Sequence, residues 1–460
     1  MKRSPSRTQW ITDTIVSQIE NGQLAPGTRL QSIRSAADSF GVSKNTVTDA
    51  YDRLVATGYV SARRGSGFYV KESFKTFSNT PTRHFTEAID SVTLLREQLN
   101  QNYEVRAGDG RLPASWMENS DINRQLNRIT KTGSCDENFE YGSPQGFLGL
   151  RESISRTLLD RSISASPDQI LMTFGANHAL DLIVRHLVKR DDTVLVESPG
   201  YYPMFGKLRL QGANIVGVKR DFDGVDLSLL ERAMKQHRAK LLFVQPMAHN
   251  PTGGSMSLQK MHGLLQLADR YNVTIIEDDP FGDILPRATP HLASLDALQR
   301  VIYVGTFSKT FSPSLRCGYV AANPHLLKSL TDIKMLTVVN GSNIVEHIIN
   351  NFIVSGKYRR HMTRLRDSVS KFTAQAVASL KNIGLTEVPH PSGGFYLWCP
   401  LPPHLDSREL AVHASSQSIF LAPGHLFVPP GSTSIPAIRI NIAHAGNPKL
   451  LSFLHNSLKA

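Results

Sequence analysis

Apolar residues first recur at helical spacing and then, far down the chain, change rhythm. Between Thr8 and Ile19 they fall at Trp10, Ile11, Ile15, Val16 and Ile19, one face of a helix. Asn21-Gly22 ends that stretch, and Pro26-Gly27 makes a turn. A second helix is expected from Ser32, with Ile33, Ala36, Ala37 and Phe40 inward. Gly41-Val42 is a tight turn, and Ser43 is placed to cap a third helix with Val47, Tyr51 and Leu54 inward. After Gly58, Tyr59-Val60 and Gly65-Ser66-Gly67-Phe68-Tyr69-Val70 read as a two-stranded wing with a glycine tip. Helix, short turn, helix and hairpin make a helix-turn-helix with a wing.

Ser73 to Arg83 is polar, contains Pro81 and shows no burial pattern, which predicts a linker. Phe85 to Leu99 regains some helical spacing. The expected layout is therefore a winged domain over residues 1–72, a linker over 73–98 and a large domain over 99–460. In the large domain short apolar runs alternate with amphipathic stretches. The runs Ile170 to Phe174, Thr193 to Glu197, Ala213 to Val218, Leu241 to Gln245, Val273 to Asp278, Arg300 to Gly305 and Cys317 to Ala322 are strand candidates. Asn177 to Leu187, Asp226 to His237 and Leu258 to Tyr271 are helix candidates. Such alternation predicts an α/β fold, a mostly parallel sheet covered on both faces, with ligands beyond the carboxyl ends of the strands.

Composition adds little to this: 40% hydrophobic and 20% charged is ordinary for a globular chain of 460 residues. The odd, widely spaced cysteines Cys135, Cys317 and Cys399 argue against a disulfide framework and for a reducing compartment. Neither an h-region nor a bilayer-spanning apolar run is present, so a cytoplasmic protein is expected. The net charge of +12 suits an anionic partner. Residues 1–72 hold ten bases and six acids, with the excess on the third helix and the wing. Lys44, Asn45 and Thr46 open the third helix, where a recognition helix meets bases and phosphates.

The candidate chemistry centres on Gly305-Thr306-Phe307-Ser308-Lys309, a lysine on a short polar loop between two apolar runs. A buried amine has a lowered pKa and can attack an aldehyde. The hydroxyls of Thr306 and Ser308, with Arg316 nearby, could hold a phosphate. Phosphate, aldehyde and lysine together suggest pyridoxal 5′-phosphate (PLP); a solvated Ser-Lys loop is the plain alternative. Gly175-Ala176-Asn177 is a strand-to-helix turn suited to an anion. Asp278 could pair with a pyridinium, or cap a helix. Tyr201 could stack on a ring, and Asn250 sits in an Asn-Pro-x-Gly turn. Arg439 is a charge inside an apolar strand and needs a partner, either a ligand carboxylate or a protein one.

Two resemblances organise these residues. Pro26-Gly27, Leu30, Ser32, Arg34, Ala37, Gly41-Val42-Ser43, Thr46-Val47, Ala50-Tyr51, Gly58-Tyr59-Val60 and Gly65-Ser66-Gly67 resemble the GntR winged helix, with Gln31 where that family usually has proline. The resemblance implies DNA contacts from Arg34, Lys44, Asn45, Thr46, Arg64 and Gly65. From Tyr141 through Glu197-x-Pro199-x-Tyr201, Asn250-Pro251-Thr252-Gly253, Glu277-Asp278-Asp279, Ser308-Lys309 and Arg316 to Arg439, the chain is similar in order to fold-type-I, aspartate aminotransferase-like PLP enzymes. That implies Lys309 as the Schiff-base lysine and Asp278 as pyridine partner. Asn250 would meet the ring oxygen, and Tyr201 would stack. Ala176, Asn177, Thr306, Ser308 and Arg316 would form the phosphate cup, with Tyr141 reaching across from a second subunit. Arg439 would bind an effector carboxylate. One departure is clear: the tyrosine usual two or three residues after the aspartate is replaced by Pro280 and Phe281.

The combination resembles the MocR subfamily of GntR regulators. It implies a PLP-dependent regulator that binds double-stranded operator DNA and senses PLP or an amino compound, as a head-to-tail homodimer. The rival expectation is a working aminotransferase carrying a winged helix.

Overall fold

In the computed structural model the described residues are 6–63, 65–71, 95–96, 99, 103–117, 140–391, 393–433 and 436–459. The linker expected over 73–98 and the wing residue Arg64 thus fall almost wholly outside the described residues. Chain contacts divide the protein into two units, Met1–Thr82 and Arg83–Ala460.

The first unit has α1 (Arg7–Glu20), α2 (Ile33–Phe40), α3 (Lys44–Ala56) and a hairpin of β1 (Val60–Arg63) and β2 (Gly67–Val70). The cap predicted at Ser43 is realised, its Oγ accepting the Thr46 N–H at 3.2 Å, and Ser32 Oγ caps α2 in the same way by accepting the Ser35 N–H at 3.2 Å. Gly41 adopts φ 62° to end α2, a conformation that costs glycine little. Ile11, Ile15, Ala36, Val47, Ala50, Tyr51, Leu54 and Val60 form the core. Tyr51 Oη donates to the Gln31 carbonyl at 3.0 Å, so the loop into α2 is pinned through its backbone although proline is missing. An isolated bridge between Arg29 and Tyr69 adds a third extended segment to the expected two-stranded wing.

The second unit is built on an eight-stranded sheet. Its strands are β3 (Ile170–Thr173), β4 (Thr193–Ser198), β5 (Asn214–Asp221), β6 (Gly224–Val225), β7 (Leu241–Val244), β8 (Thr274–Asp279), β9 (Val301–Thr306) and β10 (Gly318–Ala321). They lie in the order β3-β10-β9-β8-β7-β4-β5-β6. The run β9-β8-β7-β4-β5 is parallel, while β10 and β6 run antiparallel to their neighbours. The predicted strand runs all appear, with ends that coincide or shift by up to three residues. A smaller antiparallel sheet has the order β11 (Tyr396–Pro400), β13 (Ala437–Asn441), β12 (Ala422–Pro423).

Helices cover both faces of the large sheet, so its strands are apolar on both sides. Successive residues serve different cores: Ile275 packs in one and Ile276 in the other. Parity along β8 therefore sends Asp278 to the Ile276 face, and Glu277 and Asp279 to the opposite one. Asp278 lies inside β8, which runs one residue further than the sequence pattern suggested.

Candidate functional site

The strand ends of the large sheet converge on Lys309. Its Nζ donates to the Gly110 carbonyl at 2.6 Å. Burial, with the Arg439 guanidinium behind it, lowers its pKa to about 8. Asp278 is 2% exposed; Gln245 Nε2 donates to its Oδ2 at 2.6 Å, and its Oδ1 is buried with no partner. Burial raises the Asp278 pKa from 3.8 to about 7. A buried acceptor without a donor is unfavourable, and a protonated ring nitrogen would satisfy it.

Support extends back from Asp278. Gln245 Oε1 accepts the Asn250 N–H at 3.1 Å, and the Gln245 N–H donates to Glu197 Oε2 at 2.8 Å. Glu197 is in turn paired with the buried Arg220. This links Arg220, Glu197, Gln245 and Asp278 in one row. Gln245 is a residue that the sequence pattern passed over; its signal was its place directly before Pro246 at the end of a predicted strand.

Arg439 is 1% exposed and meets no carboxylate among the described residues. Its Nη1 donates to Asn250 Oδ1 at 2.8 Å and its Nη2 to the Gly108 carbonyl at 2.7 Å, while Nε is buried without a partner. The guanidinium lies 4.4 Å from the Tyr396 ring centroid and 5.1 Å from that of Phe427. Among the described residues its hydrogen-bond partners are thus an amide and a backbone carbonyl, not a carboxylate. Tyr396, a second residue missed from sequence, donates its Oη to the same Gly110 carbonyl at 3.1 Å.

A concave anion-suited surface forms where β3 turns into the helix Ala176–Leu187. Gly175 has φ 75° and ψ 170°, a conformation open essentially only to glycine. A Cβ there would lie 2.9 Å from Arg316 Nη2 and 3.4 Å from Ser308 Oγ. Arg316 Nη1 donates to Ser308 Oγ at 3.3 Å and Nη2 to the Phe174 carbonyl at 3.2 Å. Thr306 Oγ1 accepts the Ser308 N–H at 3.2 Å. Ala176 is half-buried and Asn177 exposed at the helix start, where backbone N–H groups are free of helical partners. The Tyr201 ring lies nearly parallel to Phe243, centroids 6.1 Å apart.

Two sequence-predicted residues behave differently from this group. Tyr141 is 83% exposed, and no hydrogen bond joins it to Lys309 or Asp278 among the described residues. Phe281 is fully buried, edge-on to Phe395 at 4.8 Å and to Tyr396 at 5.6 Å. It is a packing residue, so no phenol comes from that position.

The residues present fit PLP. An orphaned Asp278 acceptor, an amine with a lowered pKa and a glycine cradle beside Arg316 and Ser308 are complementary to a ring nitrogen, an aldehyde and a phosphate.

On the winged unit, Arg34, Lys44 and Asn45 are exposed and Thr46 half-buried. Thr46 Oγ1 is engaged with Ser43 Oγ at 2.8 Å. Gly65, at φ 73°, is exposed at the hairpin tip. Lys44, Asn45 and Thr46 thus share the start of α3, at its positive dipole end.

Comparison with known proteins agrees with both units. Residues 102–454 match the family described as aminotransferase class I and II, and residues 7–70 match the bacterial regulatory proteins of the gntR family. The uncharacterized HTH-type transcriptional regulator YisV of Bacillus subtilis is 30% identical over 91% of this chain and 88% of its own length. YdcR of Escherichia coli, named in the same way, is 30% identical over 91% of each chain. The structure of LysN, an alpha-aminoadipate aminotransferase of Thermus thermophilus complexed with N-(5′-phosphopyridoxyl)-L-leucine, superposes with a TM-score of 0.74 at 24% identity, covering 82% of this chain and 97% of that one.

Proposed function

The chain belongs to the MocR subfamily of GntR regulators, a gntR-type winged helix followed by a class I and II aminotransferase domain, and from that premise we propose that its large domain is a PLP-dependent sensor controlling operator binding. The relatives named as HTH-type transcriptional regulators favour this over a working aminotransferase. The observation that carries the sensor half is the buried, partnerless Asp278 Oδ1, on a carboxyl that lies within electrostatic reach of Lys309.

PLP, when bound, supplies an aldehyde carbon that takes amines and a ring that withdraws electrons. Lys309 would anchor it, its amine largely neutral above its lowered pKa of about 8. Asp278 would hold the ring nitrogen's proton, and a cation there would draw the carboxyl back to its charged form. Asn250 would approach the ring oxygen, and Tyr201 would stack on the ring. Ala176, Asn177, Thr306, Ser308 and Arg316 would receive the phosphate, joined by Tyr141 from the second chain of a head-to-tail homodimer. Arg439 would hold the carboxylate of an amino-compound effector. Phe281 supplies no phenol beside the ring, which suits binding over turnover.

Arg34, Lys44, Asn45, Thr46, Arg64 and Gly65 would contact operator DNA in the cytoplasm. No helix among the described residues is long and apolar enough to cross a membrane.

The test has two parts. Purified protein should absorb in the near-visible region after incubation with PLP, and Lys309→Ala should lose that band. Genomic DNA retained by the protein should yield an operator whose affinity changes with PLP or an amine. A protein that stays colourless, or whose DNA affinity ignores every ligand, refutes the sensor reading.

A further inference from the structure

The two groups on which a ligand would depend are held in this structure by one short piece of backbone. Residues 103–112 run beside Lys309 and Arg439, and three donors converge on two of their carbonyls. Gly108 O accepts from Arg439 Nη2 at 2.7 Å. Gly110 O accepts from Lys309 Nζ at 2.6 Å and from Tyr396 Oη at 3.1 Å. Ligand and strap therefore compete for the same donors.

The strap is fixed mainly by hydrogen bonds. The Gly108 N–H donates to the Phe420 carbonyl and the Asn441 N–H to the Ala107 carbonyl, each at 2.7 Å. Asn441 Nδ2 donates to the carbonyls of Asp109 at 3.1 Å and Arg111 at 2.7 Å. Between its larger apolar anchors, Val105 and Leu112, come only Arg106, Ala107, Gly108, Asp109, Gly110 and Arg111, which bury little apolar surface. A cavity of about 380 Å³ lined by Arg106, Asp109, Arg111, Met117, Ser312 and His444 adjoins the strap and leaves room for it to move. The fit elsewhere is close: a Cβ on Gly108 would stand 2.6 Å from Ala422 N and from Leu421 C, backbone atoms that cannot yield.

Position in the chain gives this competition a consequence. Tyr103 opens the strap, and residues 71–102 are all that lies in sequence between it and β2, the last strand of the winged hairpin. We propose that residues 103–112 are a displaceable strap, coupling ligand at Lys309 and Arg439 to the DNA-binding unit through the chain that joins them. The inference rests on the sensor reading above. A ligand with a carboxylate takes Arg439 from Gly108, and one that engages the amine takes Lys309 from Gly110. The strap then has fewer contacts in the liganded state, which is the differential interaction a conformational shift requires. By reciprocity, operator DNA biases the strap as the ligand does.

The probe is N-(5′-phosphopyridoxyl)glycine, which carries phosphate, ring, amine and carboxylate in one stable molecule. Its binding is followed by its own absorbance, strap opening by hydrogen–deuterium exchange over residues 103–112, and coupling by affinity for DNA recovered by the wild-type protein. Ligand should speed strap exchange about tenfold or more and change operator affinity about fivefold or more. Gly108→Ala, which forces the strap outward, and Asn441→Ala, which removes two of its ties, should both speed exchange without ligand. Both should also move operator affinity toward the liganded value. Asn441→Ala decides the matter if Gly108→Ala does not fold. If the probe binds and shifts operator affinity while strap exchange stays fixed, the strap proposal is overturned and the sensor reading stands. Faster strap exchange with unchanged operator affinity also overturns it. If the probe fails to bind, the sensor reading falls and the strap proposal with it.

Discussion

Replacing Asp278 by asparagine separates the charge of this residue from its shape. Burial raises the carboxyl from 3.8 to about 7, a shift of some three units or about 4 kcal/mol. The folded protein binds more protons at this site than the unfolded chain, so stability falls as pH rises through that window. The full cost is present above pH 7. At pH 8 it amounts to about 4 kcal/mol, and at pH 5 to under about 2 kcal/mol. Asparagine has no such charge. Its oxygen can still accept from Gln245, and its amide would replace the partnerless Oδ1 by a partnerless donor, costing about 1–3 kcal/mol at every pH. The robust quantity is therefore the change with pH: the stability of Asp278→Asn relative to wild type should rise by about 2.5 kcal/mol between pH 5 and pH 8 in PLP-free protein. For a unit of this size that is a relative shift of about 3 °C in the large domain's melting temperature. Calorimetry of both proteins at the two pH values, without PLP, measures it. PLP should then stabilise wild type more than the variant, since only the carboxylate can hold a ring N–H. A difference independent of pH would refute the claim that Asp278 is a buried, unpaired acid.

Three further outcomes are expected. The rate of PLP uptake by wild-type protein should rise with pH and level off just above the Lys309 pKa of about 8, because burial sets the neutral amine fraction; a rise continuing to pH 10 in stopped-flow absorbance would contradict it. Gly175→Ala should weaken PLP binding about tenfold or more in an absorbance titration, since alanine resists φ 75°, ψ 170° and its Cβ would press on Arg316. Lys44→Ala should weaken operator binding without changing PLP affinity; a contact to phosphate alone flattens the salt dependence by about one counterion, whereas a contact to a base edge relaxes specificity at one position.

Local patterns in the sequence determined the three helices and the hairpin of the first unit, and seven of the eight strands of the large sheet. Ser43 caps where it was expected to, because capping depends only on a side chain and a backbone group three residues apart. Apolar runs marked the strands because a sheet covered on both faces needs apolar residues throughout. The ordered residues Tyr201, Asn250, Asp278, Lys309 and Arg439 were legible as candidates, but their surroundings were not. In Glu277-Asp278-Asp279 three acids stand side by side, and only the strand's parity against two different cores separates Asp278, which meets Gln245, from its two neighbours. Phe281 looked like a lost donor; the tertiary packing makes it part of the core against Phe395 and Tyr396. The strap was hidden most completely. Its active atoms are the carbonyl oxygens of Gly108 and Gly110, which every residue carries and no pattern distinguishes. They matter because the fold brings them to Lys309 and Arg439, 199 and 331 residues away along the chain.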